Sequence, residues 1–363
     1  MLTFRKAFIA AVFLLTCVLL LRSSYSSPSS ISNAQPISPE ELGSRPDGRP
    51  EKGTVQQLPL QLPATASLRD RLRYHFPYDL NSKFPAYIWQ TWKYDPSSLW
   101  YIDDLRAPEA SWTELNPGFV HQVITDDTQS HLIRYYFASI PEVVEAFEAL
   151  PLAVLKADFF RYLVLLARGG IYSDIDTTAL QPASEWLPEN LDQSTVGLVV
   201  GIEADPDRSD WHEWYSRRIQ LCQWTIQAKP GHPVLRDIVV YITEEALRMK
   251  KAKRLSNGKM DKTIVEFTGP AAWTDAVFRY FNDPEYFDIE PGSKRSVTYE
   301  DFKGQEEHRK VGDVVVLPIT SFSPGVGQMG SNDIDDPMAF VQHDFGGILF
   351  PSFSVCLINL TVK

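Results

Sequence analysis

Two aspartates separated by a single residue, Asp174 and Asp176, follow a long apolar run and two glycines in the segment GGIYSDIDT, residues 169–177. Carboxylates this close repel each other unless a cation lies between them or they share a proton. Mg²⁺ and Mn²⁺ take one or two carboxylates and complete their shell with substrate phosphates. The pair therefore predicts a divalent-metal site, and two loop aspartates that only cap turns are the alternative.

The residues before this pair predict a helix that runs directly into it. Apolar residues recur with a helical period over residues 152–166, and Gly169 and Gly170 are suited to a helix C-cap. Asp158 and Arg161 lie one turn apart on this helix, either facing a ligand or forming an exposed i,i+3 ion pair. The segment IYSDIDTTAL is predicted as a strand that ends in a loop. On a straight strand residues i and i+2 point to the same side, so Asp174 and Asp176 would face the same point.

The rest of the folded part predicts strands that alternate with helices. Residues 86–92 and 119–125 are short, rich in β-formers and bounded by turn residues, so both are predicted strands. Such alternation predicts an α/β layered fold with a mainly parallel central sheet, whose ligands bind at the carboxyl ends of the strands. Further strands are predicted within 171–180, 194–204, 220–228 and 312–319, and further helices within 130–138, 141–150, 232–254 and 269–281.

Charge and cysteine content exclude several classes of function. The net charge is −11, from 35 basic and 46 acidic residues, which argues against a nucleic-acid partner. A nucleotide ligand remains compatible, because a metal ion or a few local cations can hold a phosphate. Of the three cysteines, Cys17 lies in an apolar N-terminal run, and whether Cys222 and Cys356 pair stays open. No Cys/His spacing indicates zinc.

The N-terminus predicts a membrane anchor followed by a stem. Residues 7–21 are almost entirely apolar and follow two basic residues. As a helix they would span about 22 Å, against about 27 Å of hydrocarbon in the endoplasmic reticulum, so a cleaved signal peptide is the alternative. We expect residues 1–22 to be a cytoplasmic tip and signal anchor, which places the rest in the lumen. Residues 23–67, rich in Ser and Pro, are expected to be a disordered stem.

The segment KADFFRYLVLLARGGIYSDIDT resembles the signature of glycosyltransferases with a DXD motif and a nucleotide-diphosphosugar fold. More narrowly, the chain resembles the fungal initiation-specific α-1,6-mannosyltransferase family, of the glycosyltransferase 32 type. The resemblance implies a GT-A-like, Rossmann-type fold for a luminal domain over residues 68–345. Supporting stretches are IWQTWK (88–93), VVGIEADPDRSDW (199–211), QWTIQAKPGHPVL (223–235), FTGPAAWTDAVF (267–278), LPITSFSPGVGQMGS (317–331) and AFVQH (339–343).

The resemblance also implies roles for individual residues. It assigns Asp176 and His343 to a Mn²⁺ or Mg²⁺ ion, with Asp344 orienting the imidazole, and counts Asp174, Asp176 and Glu203 as catalytic. The predicted donor-binding residues are Gln90, Thr91, Trp92, Asp158, Arg161, Tyr172 and Asp174. Asp205, Trp273 and Asp275 are expected on the acceptor side, although a hydrated loop explains Glu203 and Asp205 nearly as well, and a core position would explain Trp92 equally well.

The implied activity is that of a Golgi single-pass type II membrane enzyme that transfers mannose from GDP-mannose to N-glycan cores in α-1,6 linkage. A complex with other mannosyltransferases is a further expectation from the resemblance. The reaction retains configuration, and a front-face mechanism is favoured because no residue is plainly a nucleophile. Residues 346–363 depart from the family pattern and are expected to form an atypical tail. Two alternatives stay open: a mannosyltransferase acting on inositol phosphoceramide, and a catalytically impaired glycan-binding paralogue in a transferase complex.

Overall fold

The computed structural model of the chain describes residues 62–63, 65–256, 258–286 and 296–344. All described residues belong to one compact unit. Outside the described residues lie the predicted anchor, nearly all of the predicted stem, the atypical tail and Cys356. Among the described residues, Cys222 is buried and forms no disulfide. No helix within the described ranges is both long and apolar enough to cross a membrane.

Ten strands within the described residues form two sheets. They are β1 (Tyr87–Trp92), β2 (Val120–Thr125), β3 (Gly170–Ser173), β4 (Thr177–Ala179), β5 (Leu198–Ala204), β6 (Gln220–Leu221), β7 (Thr225–Ala228), β8 (Arg309–Val311), β9 (Val314–Leu317) and β10 (Val341–His343). The large sheet has the order β2-β1-β3-β7-β5-β9-β8, with β6 paired to β5. Strands β1, β2, β3, β5 and β9 share one direction, and β6, β7 and β8 oppose them. The mainly parallel central sheet is therefore confirmed.

Nine α-helices of the described chain surround the sheet. They are α1 (Leu68–His75), α2 (Arg106–Leu115), α3 (Asp126–Tyr136), α4 (Pro141–Ala149), α5 (Ala153–Arg168), α6 (Pro233–Lys251), α7 (Ile264–Phe267), α8 (Pro270–Phe281) and α9 (Ile319–Phe322). Helix α5 contacts α6 as well as β3 and β7, so its residues from Asp158 to Leu166 are buried on every side. Apolar burial on both faces of the sheet is the main stabilising contribution to this fold.

The connection from α5 to β3 depends on two glycines. Gly169 and Gly170 have φ angles of +63° and +96°, a region that side chains with a Cβ rarely adopt. A Cβ on Gly170 would also lie 2.6 Å from the Tyr87 carbonyl oxygen, because β3 begins directly beside β1. The helix therefore turns into the central strand without a loop, as the C-cap glycines predicted.

Two local predictions about strands are wrong. Residues 220–228 form two short strands, β6 and β7, rather than one, since β6 pairs only with β5 while β7 pairs with both β3 and β5. Asp174 and Asp176 do not lie on a straight strand, because β3 ends at Ser173 and the chain turns back into β4.

Candidate active site

The turn that carries the D-x-D motif is fixed by hydrogen bonds to its backbone. The Asp174 N–H donates to the Trp224 carbonyl at 2.8 Å, which continues the pairing of β3 with β7. The Asp174 carbonyl accepts from the Thr177 hydroxyl at 2.6 Å and from the Gln90 amide nitrogen at 3.0 Å. The two carboxylates thus converge because the turn is held on three sides, and not because of the alternation of a strand.

The residue between the aspartates is a hydrophobic anchor. Ile175 packs with Trp92, Tyr101 and Leu105 in a small buried cluster, which we call the anchor cluster. Trp92 was predicted to contact the donor, with a core position as the alternative. The structure places Trp92 in the anchor cluster, where the residue is only 8% exposed, so it supports the D-x-D turn through its contact with Ile175.

Asp174, Asp176 and His343 form a cluster that can hold a metal ion. One ligand atom from each residue lies within 4.8 Å of the others. His343 reaches the site because β10 pairs antiparallel with β4, which places His343 opposite Thr177, and its Nε2 lies 3.7 Å from Asp176 Oδ1. The Trp224 ring packs 4.9 Å from the imidazole. Two carboxylates and one imidazole are a donor set that suits Mn²⁺.

Beside this cluster, Arg161 links two carboxylates in a buried network. Its Nη2 lies 2.9 Å from Asp158 Oδ1 and 3.2 Å from Asp174 Oδ1, and its Nη1 donates to the Gln223 carbonyl at 2.9 Å. Asp158 and Arg161 are 2% and 4% exposed, so the alternative of a surface ion pair is wrong. The predicted donor-binding residues Asp158, Arg161 and Asp174 are therefore brought together.

Further hydrogen bonds complete the network. Asp158 Oδ2 accepts from the Thr268 hydroxyl at 2.8 Å, and Asp158 Oδ1 accepts from the Gln223 amide at 3.2 Å. The Tyr172 hydroxyl donates to Asp174 Oδ1 at 2.9 Å and contacts the Thr91 hydroxyl at 3.2 Å. The sequence did not single out Gln223, which precedes β7, or Thr268, which precedes α8, because no periodic pattern connects these segments with α5.

The electrostatics of the network favour a bound cation. Burial raises the pKa of Asp158 and of Asp174, while the nearby Arg161 guanidinium lowers both. One arginine beside two carboxylates compensates only one negative charge, and Asp176 adds another on the open side of the site. A divalent ion would balance the remaining two charges.

Gln90 has a supporting position that sequence did not predict. Its side-chain oxygen accepts from His121 Nε2 at 2.9 Å, and its nitrogen donates to Asp174, so both ends of the amide are occupied. Burial lowers the pKa of His121 to about 4, which keeps the ring neutral at physiological pH. Gln90 therefore positions the D-x-D turn, and nothing in the sequence of β2 marked His121 as its partner.

Glu203 and Asp205 lie at the carboxyl end of β5. Burial raises the pKa of Glu203 to about 7, and its Oε2 has no hydrogen-bond partner among the described residues. Asp205 Oδ2 accepts from the Gly304 N–H at 2.6 Å. Within the described ranges, neither residue forms a hydrogen bond or ion pair with the metal-binding cluster.

The prediction that Trp273 contacts the acceptor is wrong. Its side chain is fully buried and stacks on Tyr162, with ring centroids 5.3 Å apart, because α8 turns this face toward the core. Asp275, two residues later, faces outward and pairs with Arg217 at 2.6 Å. The structure does not bring Asp275 into contact with the metal-binding cluster.

Comparison with known proteins agrees with this site. Residues 105–192 match the family model described as a glycosyltransferase sugar-binding region containing a DXD motif. The chain is 44% identical over 297 residues to the initiation-specific alpha-1,6-mannosyltransferase of Candida albicans, covering 79% of this chain and 77% of that protein. It is also 44% identical over 281 residues to the protein of the same name from Schizosaccharomyces pombe, covering 77% and 66%. The putative glycosyltransferase HOC1 of Saccharomyces cerevisiae is 43% identical over 284 residues, covering 78% and 69%.

Proposed function

Since this chain belongs to the initiation-specific α-1,6-mannosyltransferase family of DXD glycosyltransferases, and is therefore a hexosyltransferase, we propose that it transfers mannose from GDP-mannose to N-glycan cores. The linkage formed is α-1,6, and the anomeric configuration of the donor is retained. The observation that carries the proposal is the cluster of Asp174, Asp176 and His343 directly beside the buried Asp158–Arg161 pair. A nucleotide-sugar donor fits this arrangement, because its diphosphate can bind the metal ion while its sugar lies beside the polar groups.

On the donor side, Asp176 and His343 would hold a Mn²⁺ or Mg²⁺ ion. When bound, that ion stabilises the negative charge that develops on the departing diphosphate. Arg161 favours the ionised forms of Asp158 and Asp174 and holds both carboxylates in place, so that Asp174 can accept hydrogen bonds from the ribose and the sugar. Holding these groups before the donor arrives reduces the reorganisation that the transition state requires.

The acceptor hydroxyl must lose a proton when it attacks. In a front-face mechanism, a phosphate oxygen of the leaving group takes this proton on the side from which the diphosphate departs. Burial raises the pKa of Glu203, at the carboxyl end of β5, to about 7. We assign it to the acceptor side, where it can accept a hydrogen bond from a sugar hydroxyl.

The cellular setting of the proposal follows from the sequence. We propose that residues 1–22 anchor the enzyme as a single-pass type II protein of the Golgi membrane, with the described domain in the lumen. The positive residues before the apolar run, and the Ser/Pro-rich segment after it, support this orientation.

A transfer assay with the full-length protein tests the proposal. We expect incubation with GDP-mannose, a Man8 or Man9 glycan and Mn²⁺ to yield a product with one added α-1,6-mannose, identified by NMR, and EDTA to abolish it. Asp176→Ala should lower the rate at least about 100-fold, because it removes a metal ligand. Asp207→Ala, which removes an exposed carboxylate paired with Lys303, is the matched control and should retain activity. A wild-type protein that transfers nothing in the presence of Mn²⁺ would contradict the proposal.

A further inference from the structure

The loop after β1 exposes two large apolar side chains. Leu99 and Trp100 are 98% and 75% exposed, and Leu99 is the most exposed large hydrophobic residue of the described chain. Single exposed apolar residues are common on protein surfaces. Two adjacent exposed apolar side chains at the same edge of the sheet as a candidate active site are typical of a ligand-binding surface.

The loop is held in one conformation by hydrogen bonds. Asp95 Oδ1 accepts from the Ser97 N–H at 2.8 Å, and the Asp95 carbonyl accepts from the Ser98 N–H at 2.8 Å. The Tyr101 N–H donates to the Ser98 carbonyl at 3.1 Å, and Arg106 Nη1 donates to the Pro96 carbonyl at 3.0 Å. The loop thus presents Leu99 and Trp100 from a fixed backbone, which limits the entropy lost when a ligand binds.

The loop is also attached directly to the D-x-D turn. Tyr101, the residue after Trp100, is buried in the anchor cluster with Trp92, Leu105 and Ile175. Ile175 separates the two aspartates of the motif, so the exposed indole is one residue away from a side chain that packs against the catalytic turn. Because β1 and β3 are adjacent parallel strands, the loop that carries Trp100 also lies at the same edge of the sheet as the D-x-D turn.

The charges of the loop indicate what kind of ligand it suits. Between Lys93 and Arg106 there are three acidic residues, Asp95, Asp103 and Asp104, and no basic residue. With Lys93 and Arg106 included, residues 93–106 contain two basic and three acidic residues, so the loop has no excess of positive charge to attract an anionic membrane surface or a nucleotide phosphate. A neutral ligand with an apolar face and several hydroxyls is compatible with it, and a hexose ring has both.

We propose that Leu99 and Trp100 form a subsite that binds a mannose residue of the acceptor glycan away from the hydroxyl that reacts. The C–H face of the sugar ring would stack on the indole, whose π face is electron-rich, and Leu99 would extend the apolar contact. This inference rests on the proposed function. It also supplies an aromatic contact on the acceptor side, where the sequence had predicted Trp273.

Acceptors of different length test the subsite. With the full-length protein and GDP-mannose, we expect Trp100→Ala to raise the KM for a Man8 or Man9 glycan about tenfold, as the loss of one stacked ring would. The KM for a mannobiose acceptor, the KM for GDP-mannose and the rate of donor hydrolysis in the absence of acceptor should not change. Trp100→Phe should restore most of the affinity for the long glycan.

Tyr135→Ala is the matched control, because Tyr135 is 76% exposed but lies near the end of α3 that is remote from the carboxyl ends of the strands. The inference is overturned if Trp100→Ala leaves the KM for the long glycan unchanged, or raises the KM for mannobiose and GDP-mannose equally. It is also overturned if Trp100→Ala only reduces flotation of the protein with phosphatidylcholine–phosphatidylserine vesicles, since the loop would then contact membrane. Calorimetric titration with the Man9 glycan tests the subsite separately, even if the wild-type protein transfers no mannose.

Discussion

Replacement of Arg161 by methionine tests the role of the buried network in stability. The Arg161→Met variant keeps much of the length of the side chain but removes the cation that lies 2.9 Å from Asp158 and 3.2 Å from Asp174. Asp158 is 2% exposed and keeps only the neutral partners Thr268 and Gln223. The variant would therefore leave one carboxylate buried without a compensating charge.

The expected loss in unfolding free energy can be bounded in two ways. Removal of one partner from a buried ion pair costs about 3–5 kcal/mol in other proteins. Asp158 can avoid this cost by taking up a proton, which at pH 7 costs about 4 kcal/mol for a carboxyl group whose pKa in the unfolded chain is about 3.9. Because Asp174 is partly open to water, it adds little, and we expect a loss of about 3–4 kcal/mol.

Urea denaturation at pH 7, followed by tryptophan fluorescence, measures this loss. Arg134→Met is the control, because Arg134 and Glu148 form an exposed pair that should contribute below about 1 kcal/mol. Adding Asp158→Asn to Arg161→Met should recover at least about 1 kcal/mol, since no buried charge then remains at that position. A loss for Arg161→Met no larger than that of the control would refute the reasoning.

Three further predictions concern residues outside the metal-binding cluster. Burial alone would raise the pKa of Asp313, but hydrogen bonds and charge from His232 and two tyrosine hydroxyls hold it well below its usual range. The contribution of ionised Asp313 to the free energy of unfolding is therefore present above about pH 4 and lost as the pH falls. Asp313→Asn should lower the free energy of unfolding by about 2 kcal/mol at pH 7, and that free energy should then depend less on pH in the acid range. Burial raises the pKa of Glu203 to about 7, so the native protein should lose stability as the pH rises from about 4.5 through 7, and Glu203→Gln should abolish that decline in denaturation curves taken at each pH. Gly170→Ala should lower the melting temperature by several degrees, because its Cβ would lie 2.6 Å from the Tyr87 carbonyl oxygen.

Local patterns were sufficient to predict much of the fold. The helical period of α5, the glycines that end it and the β-rich residues of β1 and β2 each identified an element that the structure contains. Their alternation also predicted the mainly parallel sheet. These predictions succeeded because each depends on neighbouring residues, whose spacing along the chain determines which face is buried.

The parts that failed depend on contacts between distant residues. Trp273 has no local pattern that separates a core position from an exposed one, and its stacking on Tyr162 arises only when α8 packs against α5. Asp158 accepts hydrogen bonds from Thr268 and Gln223, which lie 110 and 65 residues further along the chain. His343 was identified by resemblance alone, since the pairing of β10 with β4 that brings it to Asp176 could not be inferred from spacing.

The most direct test of the metal centre is calorimetric titration of Mn²⁺ into the full-length protein in the presence of GDP. We expect the wild-type protein to bind one Mn²⁺ ion at this site, and we expect Asp176→Ala and His343→Ala each to weaken that binding at least about tenfold. Asp207→Ala, which changes a carboxylate outside the cluster, should bind like the wild type. Absence of Mn²⁺ binding by the wild-type protein, or equal binding by all four proteins, would contradict the assignment of Asp176 and His343 as metal ligands.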